Sequence, residues 1–85
     1  MKVKVLFFAG LREQLGAAGE ELELPAGVAT VGALRKHLER RGGAWESVFA
    51  EKRLVRVAVN QAMASAASAL RAGDEVAFFP PVTGG

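Results

Sequence analysis

This chain of 85 residues contains no cysteine. That absence removes disulfides, zinc–thiolate sites and any cysteine nucleophile. It also means that any sulfur handled covalently cannot sit on a protein thiol. A cysteine-free chain suits a reducing cytoplasm, which is the compartment expected. Histidine is almost missing: His37 is the only one, and no Asp, Glu or Cys cluster accompanies it. Neither a metal site nor a general base is expected there. Long apolar runs are missing too. The start, Met1-Lys2-Val3-Lys4-Val5, alternates charged with apolar residues, which fits neither a signal peptide nor a membrane span. The formal net charge is only +2, too weak to argue for nucleic acid. The basic residues Arg35, Lys36, Arg40, Arg41, Lys52, Arg53 and Arg56 lack stacking aromatics set among them. They read as a solvated flank suited to steering an acidic partner. Gly10, Gly16, Gly19 and Gly27 are scattered turn glycines without phosphate-loop spacing.

What is present is apolar patterning. At 51% hydrophobic residues, one small domain builds a core without staples. Val3 to Phe8 alternates and predicts a strand, with Lys2 and Lys4 on one side and Val3, Val5 and Phe7 on the other. Ala9-Gly10 ends it, and Leu11 to Leu15 suits a helical turn. Glu20 to Leu24 predicts a second strand with Leu22 and Leu24 inward, joined to the first by a long, loose connection. Thr30 offers an N-cap. Val31, Leu34 and Leu38 follow as the core stripe of an amphipathic helix, with Arg35, Lys36, Glu39 and Arg40 on its wet side. Gly42-Gly43 stops that helix. Ala44 to Phe49 is expected to be short and irregular or helical, with Trp45 and Phe49 on one side. Val55 to Val59 predicts a third strand, Asn60-Gln61 a turn, Met63 to Ala66 a short edge strand, Arg71 to Asp74 a turn and Glu75 to Phe79 the last strand. Four or five strands with one main helix across one face make an α+β roll. Placing the last strand beside the first is the simplest closure of the sheet.

Past Phe79 the sequence runs Pro80-Pro81-Val82-Thr83-Gly84-Gly85. Paired prolines favour extended backbone and hold an arm off the body. Glycines without Cβ thread a channel too narrow for other residues. A carboxylate at such a tip is a poor electrophile, so its reaction requires prior activation, most simply as an acyl-adenylate made with ATP. Read alone, the tail is either this working arm or a frayed terminus. The expected division is residues 1–79 as the domain and 80–85 as the tail.

The strand order with a diglycine tail resembles the β-grasp fold of ubiquitin and its prokaryotic sulfur-carrier relatives. The segments Val5-Leu6-Phe7-Phe8-Ala9, Ala58-Val59-Asn60-Gln61 and Gly73-Asp74-Glu75-Val76-Ala77-Phe78-Phe79-Pro80-Pro81-Val82-Thr83-Gly84-Gly85 are similar to the small subunit of molybdopterin synthase, the MoaD family. The resemblance implies a ubiquitin-like β-grasp roll: a mixed four- to five-stranded sheet with one main helix across one face. It implies that the Gly85 carboxylate is adenylated by an E1-like adenylyltransferase using ATP, then converted by a sulfur donor enzyme to a thiocarboxylate. The tail, Pro80 to Gly85, would then enter the synthase large subunit and give its sulfur to a pyranopterin precursor, forming the dithiolene of molybdopterin. Catalytic groups would lie on the large subunit, with two large subunits at the centre of a heterotetramer. No cofactor is expected to be bound permanently.

Strand alternation adds a surface. It leaves Leu6, Phe8 and Phe79 on the face shared with Lys2 and Lys4, joined by Met63 from the edge strand. Large apolar groups facing water beside the tail suit docking of the large subunit and of the activating enzyme in turn. The competing expectation is a second small core under the Trp45 segment. Arg12 suits either pairing with partner carboxylates or plain solvation. Other functional expectations are a sulfur carrier for thiazole or tRNA thiolation, a ubiquitin-like modifier conjugated to lysines, and a passive binding module with an inert tail.

Overall fold

Alternating valine and lysine set the first strand, β1 (Lys2–Phe7), with Val3, Val5 and Phe7 buried and Lys2 and Lys4 exposed. The computed structural model describes residues 1–81. The connection to the second strand holds a short helix, α1 (Gly10–Leu15), which buries Leu11 and ends on Gly16 in the left-handed region. The helical turn expected over Leu11 to Leu15 is thus formed, and it makes the connection tighter than the loose one expected. The second strand, β2 (Gly19–Glu23), runs antiparallel to β1 from Lys2↔Glu23 to Leu6↔Gly19.

The main helix, α2 (Val31–Glu39), starts as its sequence dictates. The Thr30 side chain accepts a hydrogen bond from the Ala33 amide at 3.2 Å, and Val31, Leu34 and Leu38 are buried. The helix caps at Arg40. Gly42 and Gly43, with φ 78 and 56, then turn the chain into a third helix, α3 (Gly43–Phe49). One main helix was expected; two shorter ones, of 6 and 7 residues, accompany it.

Strand β3 (Arg56–Val59) and strand β4 (Ala62–Met63) form a hairpin around Asn60 and Gln61. Those two residues have φ 50 and 69, the positive values that a two-residue primed turn requires. β4 is shorter than expected, because the chain from Ala64 leaves the sheet and crosses the start of α2. There the Val31 amide donates to Ser68 O at 3.0 Å and the Gly32 amide to Ala66 O at 2.9 Å. These bonds satisfy two donors that a helix start leaves open.

The last strand, β5 (Glu75–Phe79), lies parallel to β1 and antiparallel to β3, giving the order β2-β1-β5-β3-β4. The helices cover one face. Phe7, Phe49 and Phe78 pack there, with Phe49 edge-on to Phe78 at 5.0 Å between centroids. Truncating one such buried phenylalanine to alanine costs about 3–5 kcal/mol. The mixed sheet with its main helix across one face is the β-grasp roll.

Candidate functional site

The face of the sheet opposite the helices holds the residues of interest. The strand register sets a row across it: Leu6 opposes Ala77, Ala77 opposes Ala58, and Ala58 opposes Met63. Beside that row stands Phe79, paired with Arg56. Phe8 lies one residue past β1 and still donates its amide to Phe78 O at 3.1 Å, which brings it level with Phe79. Phe8 is 46% exposed and Met63 58%, while Leu6 and Phe79 are half-buried. The four apolar residues expected to share a face do share it. Ala58 and Ala77 complete the row, and small side chains in its middle keep it flat.

Trp45 decides between the two readings of this face. Its ring lies edge-on to Phe7 at 5.3 Å and stacks on Phe49 at 6.2 Å, on the helix side of the sheet. It therefore does not lie over Phe8 and Phe79, and the second small core is not formed. Among the described residues, neither Phe8 nor Phe79 has an aromatic partner. Arg12 is exposed on α1, apart from the strands that carry the apolar row.

The rim of this face is charged. Lys4 stands between Glu21 and Glu75 in register, and Lys2 lies 3.9 Å from Glu21. Such exposed pairs contribute little stability; here they mark where the apolar surface ends. The N-terminal ammonium bonds Glu23 at 2.9 Å and, with its positive charge, holds that carboxyl below the usual range.

A polar knot fixes the entry to β5 and so the direction in which the chain leaves. Asp74 accepts from the Arg71 amide at 2.8 Å and from Asn60 Nδ2 at 3.0 Å; Asn60 Oδ1 accepts from the Glu75 amide at 3.0 Å. The Arg71 amide, then the Asn60 side chain, hold the Asp74 carboxyl below its usual value. At the other end of β5, Pro80 and Pro81 are half-buried and line an open groove beside α1. Val82, Thr83, Gly84 and Gly85 lie outside the described residues.

Arg35 departs from the expected wet side of α2. It donates to the carbonyls of Phe49 at 3.1 Å, Ala50 at 2.6 Å and Arg53 at 2.6 Å, so it pins the end of α3 and the loop beyond. That loop presents Leu54, 77% exposed and, among the described residues, the most exposed of the large apolar side chains, which sequence patterning passed over because it precedes the third strand. Among the described residues no group of three or more His, Cys, Asp or Glu is placed to hold a metal ion. None of the described helices is long and apolar enough to cross a membrane.

A β-grasp domain with an uncovered apolar face, whose central strand leads directly into a Pro-Pro-Val-Thr-Gly-Gly tail, defines a ubiquitin-like carrier. The chain belongs to the ThiS family, whose model matches residues 5–85. It is 45% identical over 83 residues to the molybdopterin synthase sulfur carrier subunit of Haemophilus influenzae, covering 98% of this chain and 99% of that protein. It is 46% identical to the protein of the same name in Escherichia coli strain K12, with the same coverage. Among solved structures it is similar to small archaeal modifier protein 1 of Haloferax volcanii. That match is 29% identical, covers 95% of this chain and 98% of the other, and has a TM-score of 0.75.

Proposed function

We propose that this protein is the sulfur-carrier subunit of a molybdopterin synthase, acting in the cytoplasm. The observation that carries the reading is full-length kinship with curated sulfur carrier subunits at 45% identity. The geometry supports it, since β5 delivers Pro80 and Pro81 from the middle of the sheet beside an uncovered apolar face. The Gly85 carboxylate is activated by an E1-like adenylyltransferase: its oxygen attacks the α-phosphorus of ATP and pyrophosphate leaves. A sulfur donor enzyme then supplies a sulfur nucleophile. Sulfur replaces the adenylate oxygen at the carbonyl carbon, AMP leaves, and a thiocarboxylate remains. The tail carries that sulfur into the large subunit, where it is given to the pyranopterin precursor. With no cysteine in the chain, the carried sulfur is held on carbon at Gly85.

The test is the mass of the C-terminal peptide after incubation with ATP, an activating enzyme of this class and a sulfur donor. Replacement of one oxygen by sulfur at Gly85, dependent on ATP, is expected, at a mass accuracy that separates it from methionine oxidation. Deleting Gly85, or adding a residue after it, is expected to abolish sulfur transfer while leaving folding and partner binding intact. Full transfer by an extended chain that is not trimmed back to Gly85 overturns the reading. The likeness to an archaeal modifier protein supports a second reading, attachment of Gly85 to lysines of other proteins; its mark is isopeptide adducts in cell extracts.

A further inference from the structure

The tail leaves the sheet through a collar that is separate from the apolar row. Gly10 and Gln14 of α1 form one side of an open groove of about 310 Å³; Lys52, Arg53 and Leu54 form the other; Pro81 lies in it. Three observations make this more than a loose surface loop. The loop is pinned from behind by the three Arg35 bonds and by the Arg53 amide, which donates to Ala50 O at 2.9 Å. The side chain it presents, Leu54, is 77% exposed and lines the same groove as Pro80 and Pro81, where the tail leaves the sheet. Lys52 and Arg53 beside it are exposed and, among the described residues, form no ion pair. The neighbouring acid, Glu51, instead lines a different groove, with Arg35 and Arg40 against α2.

We propose that this collar is a second docking surface, which takes a carboxylate-bearing segment with an apolar side chain at the mouth of the channel that receives the tail in the synthase large subunit. The proposal rests on the carrier function proposed above. Among the described residues Lys52 and Arg53 meet no carboxylate; the Arg53 guanidinium donates only to the Ser47 carbonyl, at 3.4 Å. Flanking an exposed leucine, they are complementary to carboxylates flanking an apolar group. Because the groove is lined by the base of the tail, a protein that takes the tail passes directly over it. Four residues follow Pro81, a reach of about 14 Å when fully extended. With the tail extended into the partner, the collar's role is to steer and hold that partner rather than to touch the reacting atoms.

The test measures association and dissociation rates between the full-length protein and the large subunit of its own organism. Four proteins are compared at low and at high salt: wild type, the K52E/R53E double variant, Leu54→Ser and Phe79→Asp. Each variant's unfolding midpoint is taken first, and K52Q/R53Q replaces the charge reversal if that one unfolds. K52E/R53E is expected to associate about tenfold or more slowly at low salt, a deficit that shrinks at high salt where charges are screened. Leu54→Ser is expected to dissociate several-fold faster at both salts, with its association rate little changed. Phe79→Asp weakens binding at both salts through the sheet face. If wild type binds and either collar variant matches it at low salt, the collar proposal is overturned while the carrier reading stands. If wild type does not bind the large subunit, the carrier reading fails and takes the collar with it.

Discussion

Ala9 joins β1 to α1 with φ 53 and ψ −131, a backbone region that suits glycine and strains alanine. Such a conformation costs on the order of 1–3 kcal/mol. It ends the pairing with β5 after the Phe8 amide and lets the chain turn at once into the helix, where the Leu11 amide donates to Phe8 O at 3.2 Å. Replacing alanine by glycine ordinarily loosens the unfolded chain and destabilises by about 0.4–1 kcal/mol. Here relief of strain outweighs that loss. Ala9→Gly is expected to raise the unfolding midpoint by a few degrees, on a scale of about 4–8 °C per kcal/mol for a domain of this size. Thermal unfolding checks it, and a lower midpoint refutes the assignment of strain. The exposure of Phe8 was legible, because strict alternation with buried Phe7 leaves it no other side. The strain at Ala9 was not, since it depends on where α1 docks, which no local pattern states. Arg35 escapes local patterning for a related reason. A helical wheel puts it at the margin of the polar face, but its partners come from residues 49 to 53, on another element.

Among the elements, the strap from Ala64 to Ala69 carries more than its composition suggests. A Cβ added at Gly32 would lie 3.1 Å from Ala66 O and 3.3 Å from the Ala66 Cβ. Gly32 therefore lets the strap approach closely enough to accept from the α2 amides. Gly32→Val is expected to push the strap away and cost about 1–3 kcal/mol, measured as a shift in the urea midpoint. The Arg35 clamp makes a stronger case. Arg35→Met leaves the Phe49 and Arg53 carbonyls without this donor, while Ala50 O keeps the Arg53 amide, and a loss of about 2–3 kcal/mol is expected by the same measurement. The longer strands and the helix were legible because period-two and 3.6-residue patterns run through them. The helices α1 and α3 span fewer than two turns or barely that, too few for a periodic signal. The strap, rich in alanine and serine, shows its purpose only against the helix it crosses.

In the whole molecule, the Asp74 knot contributes to acid stability, alongside Glu23 at the N-terminus. The folded-state pKa of Asp74 lies below its usual value, because the Arg71 amide and the Asn60 side chain favour the charged form. A depressed carboxylate contributes stability that is fully present above the unfolded value, near 4. That contribution is lost as pH falls through the folded value. The unfolding midpoint is expected to drop between about pH 5 and the lower folded-state value. In Asp74→Asn, which cannot titrate there, the drop over the same range is expected to be smaller. An equal drop in the two proteins would show that other carboxylates set the acid limit. The turn from Arg71 to Asp74 was visible in the sequence as punctuation before the last strand. Its role in tying the β3–β4 hairpin to β5 was not, since Asn60 and Asp74 are far apart in the chain. The closure of the sheet by β5 beside β1 was legible, because one central strand is the simplest way to join two hairpin-like halves.

That central placement has a mechanical consequence. β5 is gripped on both edges, by β1 through a parallel ladder and by β3 through an antiparallel one. Traction on the C-terminal end is therefore borne by two sets of backbone bonds loaded in shear, which must fail together instead of peeling one by one. A strand on the border of the sheet would strip away under the same pull. In the carrier role proposed above, the tip is therefore drawn back from its partner without unravelling the body to which it is attached.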